Sequence, residues 1–181
     1  MADLLEATYR SLLEAVAFAA RAHRGQVRKD KETPYASHAF RVGLVLRHVF
    51  SFDDPRMLMA AILHDTVEDT TTDHDDLQEQ FGPEVANWVA ALTKDKRLPE
   101  DEREAAYVAQ LVQAPWQVKA CKLADVFDNL MDSTHTKPEL RARTFRNSHR
   151  YLNALEKQLP EPVRRPWEIV AKLLQELESS T

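Results

Sequence analysis

A chain of 181 residues suits a single domain over residues 1–181, and at that length folding can bury roughly 70% of the unfolded surface. Three glycines, with neither G-x-G-x-x-G nor G-x-x-x-x-G-K-[ST] among them, exclude a Gly-rich phosphate loop. A formal net charge of -5 argues against a nucleic-acid binder, and a lone Cys121 excludes an internal disulfide or a cysteine-built zinc site.

Apolar residues recur at three- and four-residue spacing and strict alternation is scarce, so the predicted class is all-α. The first helix is expected from Leu4 to His23, with Leu5, Leu12, Val16 and Ala19 along one stripe and Gly25 placed to end it. This opening lacks the basic start and unbroken apolar run of a secretory signal, and no run of about 18 apolar residues occurs anywhere. No membrane association and a cytoplasmic location are therefore expected.

The basic loop GQVRKDKETP leads into a second helix from about Tyr35 to Phe50. A third opens at Asp53-Asp54-Pro55, an acidic cap followed by a proline suited to a first turn, and carries ILHD. Asp73 caps a short helix stopping near Phe81-Gly82, and Pro83 begins another that reaches about Leu92. TKDKRLPEDE reads as a loop. Further helices are expected from about Asp101 to Val112, Pro115 to Met131, Pro138 to Gln158 and Pro166 to Leu177. Trp88, Trp116 and Trp167 read as core or interface anchors, and Cys121 as a small core side chain.

The chemistry concentrates in AAILHDTVEDT. If the helix continues through it, His64 stands above Glu68 and Asp65 above Asp69. The same residues also suit a helix end fraying into a solvated acidic loop. Two distant segments bear on the choice: PYASH, ending in His38, and KLADVFDN, containing Asp125 and Asn129. Asp125 lies among Val118, Cys121, Leu123, Ala124 and Phe127, where an unpaired carboxylate is costly, a penalty that a metal or a cationic partner would remove. Two imidazoles and two carboxylates suit a divalent ion such as manganese, iron, cobalt or zinc.

Taken in order, RKDKETPYASH, AAILHDTVEDT, FGPEV with LTKDK, and KLADVFDNL resemble the HD phosphohydrolases. More narrowly they resemble the small alarmone hydrolases, relatives of the Rel/Spo-type hydrolase domain that removes the 3′-pyrophosphate from guanosine tetra- and pentaphosphate. The resemblance spans about Ala17 to Asp132 and implies an HD-type bundle of about eight to ten helices. It further implies that His38, His64, Asp65 and Asp125 ligate the metal, usually manganese, and that Glu68 and Asp69 are the catalytic acids. Arg28 and Lys29 would flank the nucleotide, Lys96 approach its phosphates and Asn129 contact the nucleoside. The family usually has Gly or Ser where Asp30 stands, Pro where Ala39 stands, and Arg or Lys where Val126 stands. These changes lie beside the expected substrate contacts and bear on nucleotide preference.

Cations gather as Arg24, Arg28, Lys29 and Lys31, as Lys94, Lys96 and Arg97, and as Arg141, Arg143, Arg146 and Arg150, the last reading as a solvated helix face. His23, His48, His74, His135 and His149 read as structural or surface residues. The alternatives are an HD hydrolase of another phosphorylated nucleotide, such as the adenosine analogue, and a non-catalytic nucleotide-binding HD module. A di-iron bundle needs paired Glu-x-x-His motifs, and none occurs. Alarmone synthesis is not expected, for want of a synthetase domain.

Overall fold

A computed structural model describes residues 2–180, with side chains from Tyr9 onward, so the predicted place of Leu5 on the first stripe lies outside the described side chains. Among the described residues it holds ten α-helical segments, with no β-structure beyond an isolated bridge between Val27 and Pro34. The helices are α1 (Ala2–Ala22), α2 (Ala36–Leu44), α3 (Pro55–Leu63), α4 (Thr66–Asp69), α5 (His74–Phe81), α6 (Pro83–Leu92), α7 (Glu100–Gln113), α8 (Trp116–Ser133), α9 (Pro138–Glu156) and α10 (Glu161–Ser179).

The predicted caps form as the chemistry requires. The Asp54 carboxylate accepts from the Arg56 N–H at 2.9 Å with Pro55 in the first turn of α3. Asp73 and Asp76 close a reciprocal capping box on α5, and Gly82, at φ +85°, turns the chain from α5 into α6.

Three boundaries differ from expectation. The second predicted helix keeps α-geometry only to Leu44 and then widens into a π-helical turn over Val45–Val49, closed by the Phe50 N–H on the Val45 carbonyl at 3.0 Å. The third does not run through the HD pair: α3 stops at Leu63, and Asp65, at φ -101° and ψ -2°, starts the separate α4. The last begins at Glu161 rather than Pro166. Pro162 already takes the first-turn place, and Pro166 is buried inside the helix, where it forgoes one backbone bond.

Helix α3 is buried from Met57 through Leu63, and α8 from Val118 through Val126, so both are enclosed on all sides rather than lying on a surface. Helix α8 packs against α2, α3, α9 and α10, while α3 packs against α1, α2 and α6. Trp88 and Cys121 are buried, and the half-buried Trp167 donates Nε1–H to the Leu152 carbonyl at 3.0 Å, tying α10 to α9. Between α1 and α2 the loop is closed by the Arg28 N–H on the Thr33 carbonyl at 2.8 Å and the Tyr35 N–H on the Gln26 carbonyl at 2.9 Å.

Candidate metal and nucleotide site

His38 sits on α2 and His64 just past the end of α3, and their rings lie 5.1 Å apart. Gly43 permits this approach, since a Cβ there would fall 2.9 Å from Ile62 Cγ1. Each ring is fixed through Nδ1. The Asp128 carboxylate lies 2.6 Å from His38 Nδ1, and the Ala61 carbonyl 2.8 Å from His64 Nδ1. A carboxylate and a carbonyl accept only, so Nδ1 carries the proton in both rings and a neutral imidazole turns its Nε2 lone pair inward.

Both Nε2 atoms converge on carboxylates. Asp65 Oδ2 lies 2.9 Å from His64 Nε2 and 3.7 Å from His38 Nε2. Asp125 Oδ1 lies 3.2 Å from His38 Nε2 and 3.7 Å from His64 Nε2. Burial opposes a charge on His64, but Asp65 and Asp125 outweigh it and raise its pKa to about 9. At Asp65 burial favours the neutral acid, yet His64 holds the carboxyl well below the usual range.

A divalent ion fits these residues. His38, His64 and Asp65 offer one ligand atom each within 4.8 Å of one another, and Asp125 Oδ1 faces the same space. Two buried imidazole nitrogens turned onto two carboxylates form a donor set that suits a nitrogen- and oxygen-ligating cation.

Asp125 has the cationic partner that its buried setting requires. Lys122 Nζ, also buried, donates to its Oδ2 at 2.7 Å and lies 4.5 Å from the Tyr151 ring centroid. Asn129 Nδ2 donates to Oδ1 at 2.5 Å. Burial disfavours the Lys122 charge, but Asp125 dominates and raises its pKa well above the usual lysine value.

The break after α3 carries both acids of α4 to the same cavity, of about 270 Å³. Glu68 is half-buried, burial pushes its pKa up, and its Oε2 accepts the Lys94 N–H at 2.9 Å. Asp69 pairs with Lys96 and lies 3.4 Å from Tyr35 Oη, which donates at 2.5 Å to Asp65 Oδ2.

Arg28, Lys29 and Asn129 line this cavity with the metal cluster and both acids, so nine of the ten residues named from sequence meet there. Lys96 does not line it; exposed, it reaches in only as far as Asp69, and Lys94 takes the lining position. Arg28 is buried, with Nε donating to Asp132 Oδ2 at 2.9 Å and Nη2 to Asn129 Oδ1 at 3.0 Å. In the third basic group Arg143, Arg146 and Arg150 are exposed, with Arg143 paired to Glu100 and Arg150 to Glu104, whereas the half-buried Arg141 donates to the Ser133 and Thr134 carbonyls at the end of α8 at 3.1 and 3.0 Å. His23 is structural, buried with its Nδ1 2.9 Å from Gln26 Oε1.

Sequence reasoning missed Tyr35, Lys122 and Asp128. Lys122 had a signal, a lysine three residues before Asp125 in an otherwise apolar helix. Asp128 had none, because its partner His38 is 90 residues away in the chain.

Comparison with known proteins identifies a family. The HD domain family matches residues 15–152. Guanosine-3′,5′-bis(diphosphate) 3′-pyrophosphohydrolase MESH1 of Danio rerio is 45% identical over 129 residues, 71% of this chain and 72% of that protein. The Homo sapiens protein of the same name is 46% identical over the same shares. Among solved structures, a metazoan ortholog of SpoT that hydrolyses ppGpp superposes with a TM-score of 0.78 at 32% identity, covering 90% of this chain and 94% of that one. A Listeria monocytogenes protein superposes with a TM-score of 0.66 at 29% identity, covering 81% and 96%. On its sequence, its fold and the company of the MESH1 pyrophosphohydrolases, the chain belongs to the HD-domain family.

Proposed function

We propose that this protein is a metal-dependent hydrolase that removes the 3′-pyrophosphate from guanosine 3′,5′-bis(diphosphate), working as one HD-type domain over residues 1–181 in the cytoplasm. The observation that carries the reading is the pair of imidazoles, each fixed through Nδ1, whose Nε2 atoms converge on Asp65 and Asp125 beside two further acids. The relatives named for this reaction support the choice of substrate.

In this reading His38, His64, Asp65 and Asp125 hold the ion, and manganese is the ion proposed. A bound divalent cation supplies Lewis acidity, making water a better nucleophile at neutral pH and drawing charge from a phosphoryl oxygen. Glu68 is the group suited to take the proton of the attacking water, since its raised pKa makes it a stronger base than an ordinary carboxylate. Asp69, tethered by Lys96, orients that water from the other side. Arg28 and Lys29 bind phosphate oxygens at the mouth, Lys96 approaches the phosphates from the rim, and Asn129 contacts the nucleoside.

The test is a product-resolved assay on guanosine and adenosine 3′,5′-bis(diphosphates) with Mn2+. Wild type is expected to release pyrophosphate, with Glu68→Gln slowed roughly 10²–10⁴-fold while still binding metal, and His64→Ala losing metal and activity together. Full activity in His64→Ala would overturn the ligand assignment. Release of pyrophosphate from neither substrate would overturn the proposed reaction.

A further inference from the structure

Around the far side of His38 runs a chain of paired charges that the proposed chemistry does not use. Asp128 is buried, and its Oδ2 is shared between His38 Nδ1 at 2.6 Å and Arg41 Nη2 at 2.9 Å, while Arg41 Nε donates to its Oδ1 at 2.7 Å. The same Arg41 Nη2 reaches Asp132 Oδ1 at 2.6 Å, and Asp132 Oδ2 accepts from Arg28 Nε at 2.9 Å. Arg28 Nη2 then returns to Asn129, whose amide holds Asp125. A metal-facing histidine and a cavity-facing arginine are thus the two ends of one hydrogen-bonded chain, built from α2, α8 and the loop before α2.

We propose that Asp128, Arg41 and Asp132 form a positioning relay, in which Asp128 fixes the metal-binding tautomer of His38 and Asp132 fixes Arg28, with Arg41 joining the two carboxylates. The inference rests on the site assignment above. Its physical basis is that a histidine ligand needs an acceptor on the nitrogen that does not bind metal, and a carboxylate there raises its basicity as a ligand. Arg41 donates to both oxygens of Asp128, so an asparagine at 128 must turn its NH2 either onto Arg41 Nε or onto His38 and Arg41 Nη2. The second arrangement donates to His38 Nδ1, moves the ring proton to Nε2 and blocks the metal-facing lone pair. Neither arrangement reproduces the native set of bonds.

The two ends separate experimentally. Mn2+ affinity is measured by calorimetry on nucleotide-free protein, which needs no substrate, so failure of the substrate assignment leaves this readout intact. Asp128→Asn is expected to weaken Mn2+ binding about 10–100-fold, with helicity retained. Asp132→Asn is expected to leave Mn2+ binding within about threefold but to raise KM for the guanosine substrate roughly tenfold at saturating Mn2+, with kcat little changed, as loss of one charge-assisted bond on Arg28 implies. Arg41→Lys, which keeps the charge but not the two-pronged contact, is expected to shift both measurements and serves if Asp128→Asn does not fold. Unchanged Mn2+ affinity in folded Asp128→Asn or in Arg41→Lys would overturn the relay and leave these residues a clamp between α2 and α8. Equal loss of Mn2+ affinity in Asp128→Asn and Asp132→Asn would overturn the division of labour between its ends.

Discussion

Lys122 and Asp125 face each other inside α8, and removing either leaves the other charged and enclosed. Breaking such a buried pair from one side costs about 3–5 kcal/mol. Lys122→Met is therefore expected to lower the unfolding free energy of metal-free protein by about that amount in urea titrations. Saturating Mn2+ should recover part of the loss, because the ion replaces the missing positive charge on Asp125. An identical loss with and without Mn2+ would show that Asp125 takes no part in holding the ion. At this scale the candidate ligands His64, Asp65 and Asp125 were legible because a histidine and an acid adjoin in AAILHDTVEDT and because Asp125 interrupts an apolar face. Lys122 answers the same interruption from one turn away, yet a lysine in a helix reads first as surface, and only its burial against Tyr107 and Tyr151 shows otherwise. Which of Lys94 and Lys96 lines the cavity was not legible, because the two are two residues apart in a loop and no periodicity says which one turns inward.

Between elements, the spacing of α2 and α3 sets the distance between His38 and His64, and Gly43 sets that spacing. Gly43→Ala gains up to about 1 kcal/mol of helix propensity, but the new methyl overlaps Ile62, a stiff β-branched side chain buried on the facing helix. Overpacking costs about 1–3 kcal/mol, so the net change is expected to be destabilising in chemical denaturation. In an Ile62→Ala background the obstacle is gone and the same substitution is expected to stabilise; the same sign in both backgrounds would place the cost elsewhere. Helix starts were legible wherever an acid or a proline marks them, as at Asp54-Pro55, Asp73 and Gly82-Pro83. The stop after Leu63 was not, because His64-Asp65 contains neither glycine nor proline, and the turn there is held by the Thr66 hydroxyl on the Leu63 carbonyl at 2.7 Å.

Across the whole molecule, Glu104 on α7 gathers distant parts of the chain. It accepts from Lys94 Nζ after α6 at 2.7 Å and from Tyr151 Oη on α9 at 2.8 Å. Burial favours its neutral form, but Lys94 and then Tyr151 outweigh burial and hold its pKa below the usual value. A depressed folded pKa means that the carboxylate stabilises the fold above its unfolded pKa and that this contribution fades as pH falls through the folded value. Glu104→Gln is expected to cost about 1–3 kcal/mol at neutral pH, a gap that urea titrations should see narrow steadily below about pH 4. A gap of constant size down to about pH 3 would assign the loss to packing rather than charge. The loop before α2 carries a different consequence. Besides its two backbone closures, Gln26 Nε2 donates to the Asp69 carbonyl at 2.7 Å, so the segment bearing Arg28 and Lys29 is already pinned to α4. Fixing a residue's backbone costs roughly 1–2 kcal/mol in conformational entropy. For this segment that cost falls on folding, and a nucleotide arriving at the mouth meets a loop it does not have to order.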